Sequence, residues 1–262
     1  MWYSLHRHTR QLLSKRGLIT LLAIGTLNTA AADTTNIAVA ANFTAAAKAL
    51  AEQFQQRSEH RVKFSFGSTG KLYTQIINGA PFDAFLSADE LRTGQLTAQG
   101  QAVAASEFTY AVGQLALYSI DPNLNLQAGA ILSTPDKMSR LAIANPKTAP
   151  YGAAAQAALE KLELWSALTS KLVQGDNIAQ TYQFVSTGNA TVGFVALAQI
   201  YKDANANYWP VPEMLHPPLR QNAVLLARGS SNPATLAFLE FLKSTPAREL
   251  IASYGYGLSE EN

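Results

Sequence analysis

The stretch Phe64-Ser65-Phe66-Gly67-Ser68-Thr69-Gly70-Lys71-Leu72 sets two adjacent hydroxyls between two glycines. Phe64 and Phe66 alternate with polar neighbours, as on a buried strand, and Leu72, Ile76 and Ile77 recur at helical spacing. A strand that breaks at glycine and turns straight into a helix presents free backbone N–H groups, hydroxyls and the positive end of a helix dipole at one point. That is a site for an anion. Ala41-Asn42, Tyr151-Gly152 and Asn177-Ile178 are junctions of the same design, each after an apolar run and before a helical one. In open α/β sheets ligands collect at the carboxyl ends of the strands. Small polar residues are also ordinary helix caps, so each junction alone has a structural reading. The four together point to a cleft that takes a small anion.

Other chemistries fit less well. Ser68-Thr69-Gly70-Lys71 resembles the end of a phosphate-binding G-x-x-x-x-G-K-[ST] loop, but Ser65 stands for its first glycine and Leu72 for its hydroxyl. No G-x-S-x-G is present. Beyond the first 32 residues the histidines are His60 and His216, far apart and with no cysteine anywhere, which argues against a zinc site. Asp83 and Asp89 read as capping carboxylates on a strand and its following turn. Lys71 is expected to face solvent. Asn42-Phe43-Thr44 matches a glycosylation acceptor, but an asparagine in a cleft is a poor one. With no nucleophile–base pair, the chain reads as a binding protein that needs no cofactor, not as an enzyme.

The elements that position these junctions alternate. Strands are expected near 36–40, 61–66, 83–87, 140–144, 171–173, 191–197, 208–211 and 222–228, with one or two more within 108–120 around Gly113. Helices are expected near 45–56, 71–78, 91–98, 153–162, 178–185, 233–243 and 246–254. This alternation predicts an α/β protein with mostly parallel sheets. Ahead of it, Arg7, Arg10, Lys15 and Arg16 precede a mostly apolar run from Leu18 to Leu27 and the small residues Ala30-Ala31-Ala32. Residues 1–32 therefore read as a secretory signal peptide, too short to span a membrane. The 262-residue chain has 20 basic and 18 acidic side chains. The leader removes four basic and no acidic ones, leaving 230 residues with a net charge of −2. No basic field remains to attract nucleic acid. Export without cysteine fits a bacterial periplasm and rules out a lipid anchor at the cleavage site.

The motifs resemble the periplasmic molybdate-binding proteins of bacterial ABC importers. The resemblance rests on Ala38-Val39-Ala40-Ala41-Asn42-Phe43-Thr44, on Phe66 to Leu72, and on Gly79-Ala80-Pro81-Phe82-Asp83-Ala84-Phe85-Leu86-Ser87-Ala88-Asp89. Leu141 to Gly152, Val192-Gly193-Phe194-Val195 and Tyr254-Gly255-Tyr256 extend it over nearly all of 33–262. It implies the two-lobed periplasmic-binding-protein fold (type II) with the ligand cleft between lobes. One lobe would be 33–112 plus 222–262, the other 113–221. It further implies a monomer that captures molybdate or tungstate and delivers it to a membrane permease. Sulfate, phosphate or a metal on the same fold is the alternative. Carried over by motif, the binding positions are Asn42, Thr69, Tyr151 and Ile178, with Ser68 beside them; Ile178 can offer only its backbone N–H. Many members carry a tyrosine where Ala196 stands and alanine where Tyr151 stands. Tyr151 is thus the candidate for the missing phenol, or else a loop aromatic packed over Pro150.

Overall fold

The computed structural model describes residues 32–259. The leader read over residues 1–32 lies outside the described residues except for Ala32. Among the described residues no helix is long and apolar enough to cross a membrane.

The first sheet is built from β1 (Thr34–Ala40), β2 (Arg61–Gly67), β3 (Ala84–Leu86), β4 (Phe108–Gly113) and the late strand β10 (Leu219–Leu225), in the order β2-β1-β3-β10-β4. The second takes β5 (Leu115–Ser119), β6 (Leu141–Ala144), β7 (Leu172–Gly175), β8 (Val192–Ala196) and β9 (Asn207–Pro210), in the order β7-β6-β8-β5-β9. The helices are α1 (Thr44–Gln55), α2 (Thr69–Ile77), α3 (Leu91–Ala98), α4 (Pro150–Lys161), α5 (Trp165–Leu168), α6 (Ile178–Ser186), α7 (Pro233–Lys243) and α8 (Thr245–Ala252). The result is a two-lobed α/β fold in which each sheet is mixed. Three strands on one side run parallel through helical crossovers, and the other two are antiparallel. The antiparallel pairs arise where the chain passes between sheets: β4 leads within two residues into β5, and β10 returns to the first sheet.

Strand alternation assigns the two faces of each sheet. Ile37 and Val39 of β1 pack with Phe43, Leu50, Phe238 and Ile251 under α1, α7 and α8, while Ala38 faces Leu72, Ile76, Phe85 and Leu96 under α2 and α3. In β5, Leu115 and Leu117 join Leu141, Phe194 and Leu159 beneath α4, while Ala116 and Tyr118 meet Val185 of α6. Both faces are covered, which is why the inner strands read as continuous apolar runs.

The reading of Phe64 to Phe66 as a buried strand is corrected. β2 forms the sheet edge, and Phe66 is 36% exposed, its ring tilted against that of Phe64 with Lys48 over it. The charged Arg61 and Lys63 on the same strand suit an edge. Helix α4 begins three residues earlier than expected, with Pro150 at its first position, where a missing N–H costs nothing.

Candidate functional site

The four junctions converge. A cleft of about 200 Å³, counted out to its mouth, is lined by Ala40, Ala41, Asn42, Gly67, Ser68, Thr69, Ala88, Ala149, Pro150, Tyr151, Asn177 and Ile178. Asn42, Ser68, Thr69, Tyr151 and Ile178, singled out from the sequence, all lie in this wall. Ala196 is buried but does not line it. The lining holds no charged side chain.

What the wall offers is mainly donors. Thr69 and Ile178 are the first residues of α2 and α6, Tyr151 is the second of α4, and Asn42 is the second of a short 3-10 turn, Ala41–Phe43, that leads into α1. Amides at such positions have no partner inside their own helix. At α6 the Asn177 side chain takes the N–H groups of Ala179 and Gln180, at 2.9 and 3.1 Å, and leaves that of Ile178 to the cleft. Gln199 steadies the same turn, donating to the Ile178 carbonyl at 3.1 Å. Ser68 precedes α2 but makes no side-chain cap bond; its Oγ is buried without a partner. A buried hydroxyl left this way is costly unless a ligand completes it. Thr69 Oγ1 accepts the Ala88 N–H at 3.1 Å, which leaves its proton to donate.

The side-chain amide of Asn42 is engaged within the protein. Its Nδ2 donates to Gln221 Oε1 at 2.8 Å and to Tyr256 Oη at 3.2 Å, so both amide protons are committed within the protein. The donor Asn42 has left to offer is its backbone N–H. Tyr256 Oη in turn donates to the Asn42 carbonyl at 2.9 Å, and Tyr110 Oη lies 3.1 Å from both Gln221 Oε1 and the Ser87 carbonyl, with one proton for the two. Gln221 Nε2 donates to Tyr151 Oη at 3.2 Å. The sequence reading did not single out Tyr110 or Gln221, and it named Tyr256 only within the closing Tyr254-Gly255-Tyr256 motif, not as part of the site. The one available signal was a polar residue, Gln221, beside an apolar strand.

Burial raises the hydroxyl pKa of Tyr110, Tyr151 and Tyr256 above the ordinary value of 10.0. All three are thus protonated donors at neutral pH. A raised folded-state pKa leaves stability intact below the unfolded value of 10.0 and erodes it above, because the unfolded chain then releases protons the folded chain retains. The melting temperature should hold steady up to that pH and fall beyond it. Tyr256→Phe should flatten the alkaline decline; an unaltered alkaline slope in that variant would contradict this cause.

Contacts close the mouth from both lobes. The Gly70 N–H donates to the Thr148 carbonyl at 2.8 Å, and Lys71 pairs with Asp176 at 2.9 Å. Arg92 reaches the Lys147 carbonyl at 3.3 Å. Lys71 is exposed, as expected, and from the surface it also bridges the cleft, though such an exposed pair contributes little to stability. Asp83 and Asp89 have structural roles. Asp83 accepts the Asn36 N–H at 2.8 Å, and Asp89 accepts the Arg92 N–H at 3.0 Å and pairs with its guanidinium. Among the described residues no cluster of His, Cys, Asp or Glu could hold a metal ion.

Known proteins share this arrangement. The family profile of bacterial extracellular solute-binding proteins matches residues 35–257. A molybdate-binding protein ModA of Azotobacter vinelandii is 51% identical, covering 92% of this chain and 97% of that relative. One from Rhodobacter capsulatus is 46% identical, over 90% and 92%. The solved structure of an Azotobacter vinelandii periplasmic molybdate-binding protein superposes with a TM-score of 0.82 at 36% identity, covering 86% of this chain and all of that one. By these matches over most of its length, the chain belongs to the bacterial extracellular solute-binding proteins, within the molybdate-binding ModA family.

Proposed function

We propose that the protein captures molybdate, and its congener tungstate, in the cleft between its lobes and presents the anion to the permease of an ABC importer. The observation that carries this reading is a cleft walled by donors and by no cation, with Ser68 Oγ buried and unpaired. A buried dianion without a countercharge is costly unless each oxygen is well hydrogen-bonded. The donors are the hydroxyls of Ser68, Thr69 and Tyr151 and the amides of Asn42, Thr69, Tyr151 and Ile178. At about 1.5–3 kcal/mol each, they supply on the order of 10–20 kcal/mol before desolvation and closure are subtracted. A net of about 8–12 kcal/mol corresponds to micromolar to nanomolar binding. Donors without acceptors also disfavour a protonated anion, whose O–H would find no partner. Sulfate has the same charge and shape as molybdate, so its rejection rests on size.

The chain passes between the sheets at Gly113 to Leu115 and again between Pro210 and Leu219. These two crossings are the proposed hinge, with the lobe that carries the first sheet, all of β10 included, moving against the lobe that carries the second as the anion draws both walls together. The test is a thermal-shift panel on the chain beginning at Asp33. Molybdate and tungstate should raise the melting temperature strongly and sulfate and phosphate little, since a ligand of the folded state stabilises by RT ln(1 + [L]/Kd). Equal shifts with sulfate would overturn the size argument. Small-angle scattering on the same sample should show a smaller radius of gyration with molybdate, and an unchanged radius at saturation would contradict the hinge.

A further inference from the structure

Gln221 lies where the pairing of β10 with β4 shifts register, between Gln221 and Asn222, and it is fully buried. It does not line the cleft, yet it touches one wall residue from each lobe: Asn42 on one side and Tyr151 on the other. Amide oxygen and nitrogen look alike in outline, so the direction of these bonds must be argued from groups with a single role. The Asn42 carbonyl can only accept, and Tyr256 Oη gives it its one proton. Tyr256 Oη must therefore accept from the other atom facing it, so that atom of the Asn42 side chain is the donor Nδ2. The same Nδ2 faces Gln221, which must answer with Oε1; the Tyr110 hydroxyl stands 3.1 Å from that oxygen and 3.1 Å from the Ser87 carbonyl, with one proton for the two, so the direction is fixed from the Tyr256 end. Gln221 is left to present Nε2 to Tyr151, and the phenol accepts. A phenol that accepts on this side keeps its proton for the other.

We infer that Gln221 is a positioning residue: a one-way chain of hydrogen bonds from Tyr256 through Asn42 and Gln221 turns the Tyr151 hydroxyl into the cleft as a donor and makes that wall selective for a fully deprotonated oxyanion. The inference rests on the oxyanion reading given above. A Gln221 that merely filled and stabilised the core would affect melting but would not govern what Tyr151 contributes to binding.

A mutant cycle read by calorimetric titration with molybdate separates the two. Gln221→Glu keeps the shape. Its ionised carboxylate still accepts from Asn42 and Tyr110, but it also accepts from Tyr151 and draws the phenol proton out of the cleft. Tyr151→Phe should weaken molybdate binding about ten- to a hundred-fold in the wild type. In the Gln221→Glu background it should cost less than about twofold, since the donor is already withdrawn. Gln221→Glu should also regain affinity as the pH falls and its carboxyl takes up a proton it can donate to Tyr151, while wild-type affinity stays level over the same range. If Gln221→Glu does not fold, Asn42→Asp reverses the chain from its other end with Gln221 intact, and the same loss of the Tyr151→Phe effect is expected. An equal Tyr151→Phe effect in wild-type and altered backgrounds overturns the inference alone. A wild type that binds neither molybdate nor tungstate overturns the function and the inference with it.

Discussion

Gly113→Ala is expected to weaken molybdate binding by at least about a hundred-fold while leaving both sheets folded. Gly113 is the last residue of β4, directly before the chain crosses to β5. A Cβ there would stand 2.1 Å from Tyr151 Oη and 2.6 Å from Gln221 Nε2. Neither neighbour has room to retreat, because both side chains are essentially fully buried. The phenol must leave its place, which removes one donor to the dianion, about 1.5–3 kcal/mol. Overpacking adds about 1–3 kcal/mol of strain, felt most in the closed arrangement, where Tyr151 and Gln221 meet. Gly113→Ala should therefore cost more affinity than Tyr151→Phe, which removes only the hydroxyl. Titration of the two variants side by side decides this; a Gly113→Ala protein that binds as the wild type does would mean that the phenol has no part in the site.

Ser68→Asp should abolish molybdate binding without lowering the melting temperature of the ligand-free protein. Ser68 sits just before α2, is 3% exposed and leaves its hydroxyl unpaired. A carboxylate at that position can accept first-turn amides of α2 and lies at the favourable end of the helix dipole. It would act as a built-in substitute for the anion, so the cost of burying it is offset by the same groups that hold the ligand. For the incoming dianion it is a like charge about 4 Å away, unfavourable by about 4 kcal/mol or more in a partly screened site, roughly a thousand-fold in affinity. A sharp fall in ligand-free stability would show that the amides at this junction are not poised for negative charge. Retained binding would place the anion elsewhere.

The junctions were legible because their signal is local. Glycines, hydroxyls and the change from strand to helix spacing fall within a few residues at Gly67-Ser68-Thr69-Gly70 and again before α4 and α6. The parallel halves of both sheets were legible for the same reason, since each strand is followed directly by the helix that carries it across. What remained hidden depends on residues distant in sequence. Local spacing cannot show that β10 returns to lie antiparallel between β3 and β4. The strand was therefore expected to begin at Asn222, which left out Gln221, the buried centre of a polar cluster. Phe66 alternates like an inner strand residue, but sheet order puts it at an edge. Lys71 has its partner, Asp176, at the start of another helix more than a hundred residues on. The committed protons of Asn42 could be found only once Tyr256 was placed beside it.

Molybdate is expected where α2, α4 and α6 begin, held by neutral donors from both lobes. Crystals grown with molybdate, with diffraction recorded at the molybdenum absorption edge, test it directly. A single strong anomalous peak per chain is expected in the cleft, with the Ser68 and Tyr151 hydroxyls and the Thr69 and Ile178 amides at hydrogen-bonding distance from the anion's oxygens and no lysine or arginine in contact. A peak outside the cleft, an anion held by a cationic side chain, or no peak at saturating molybdate would contradict it.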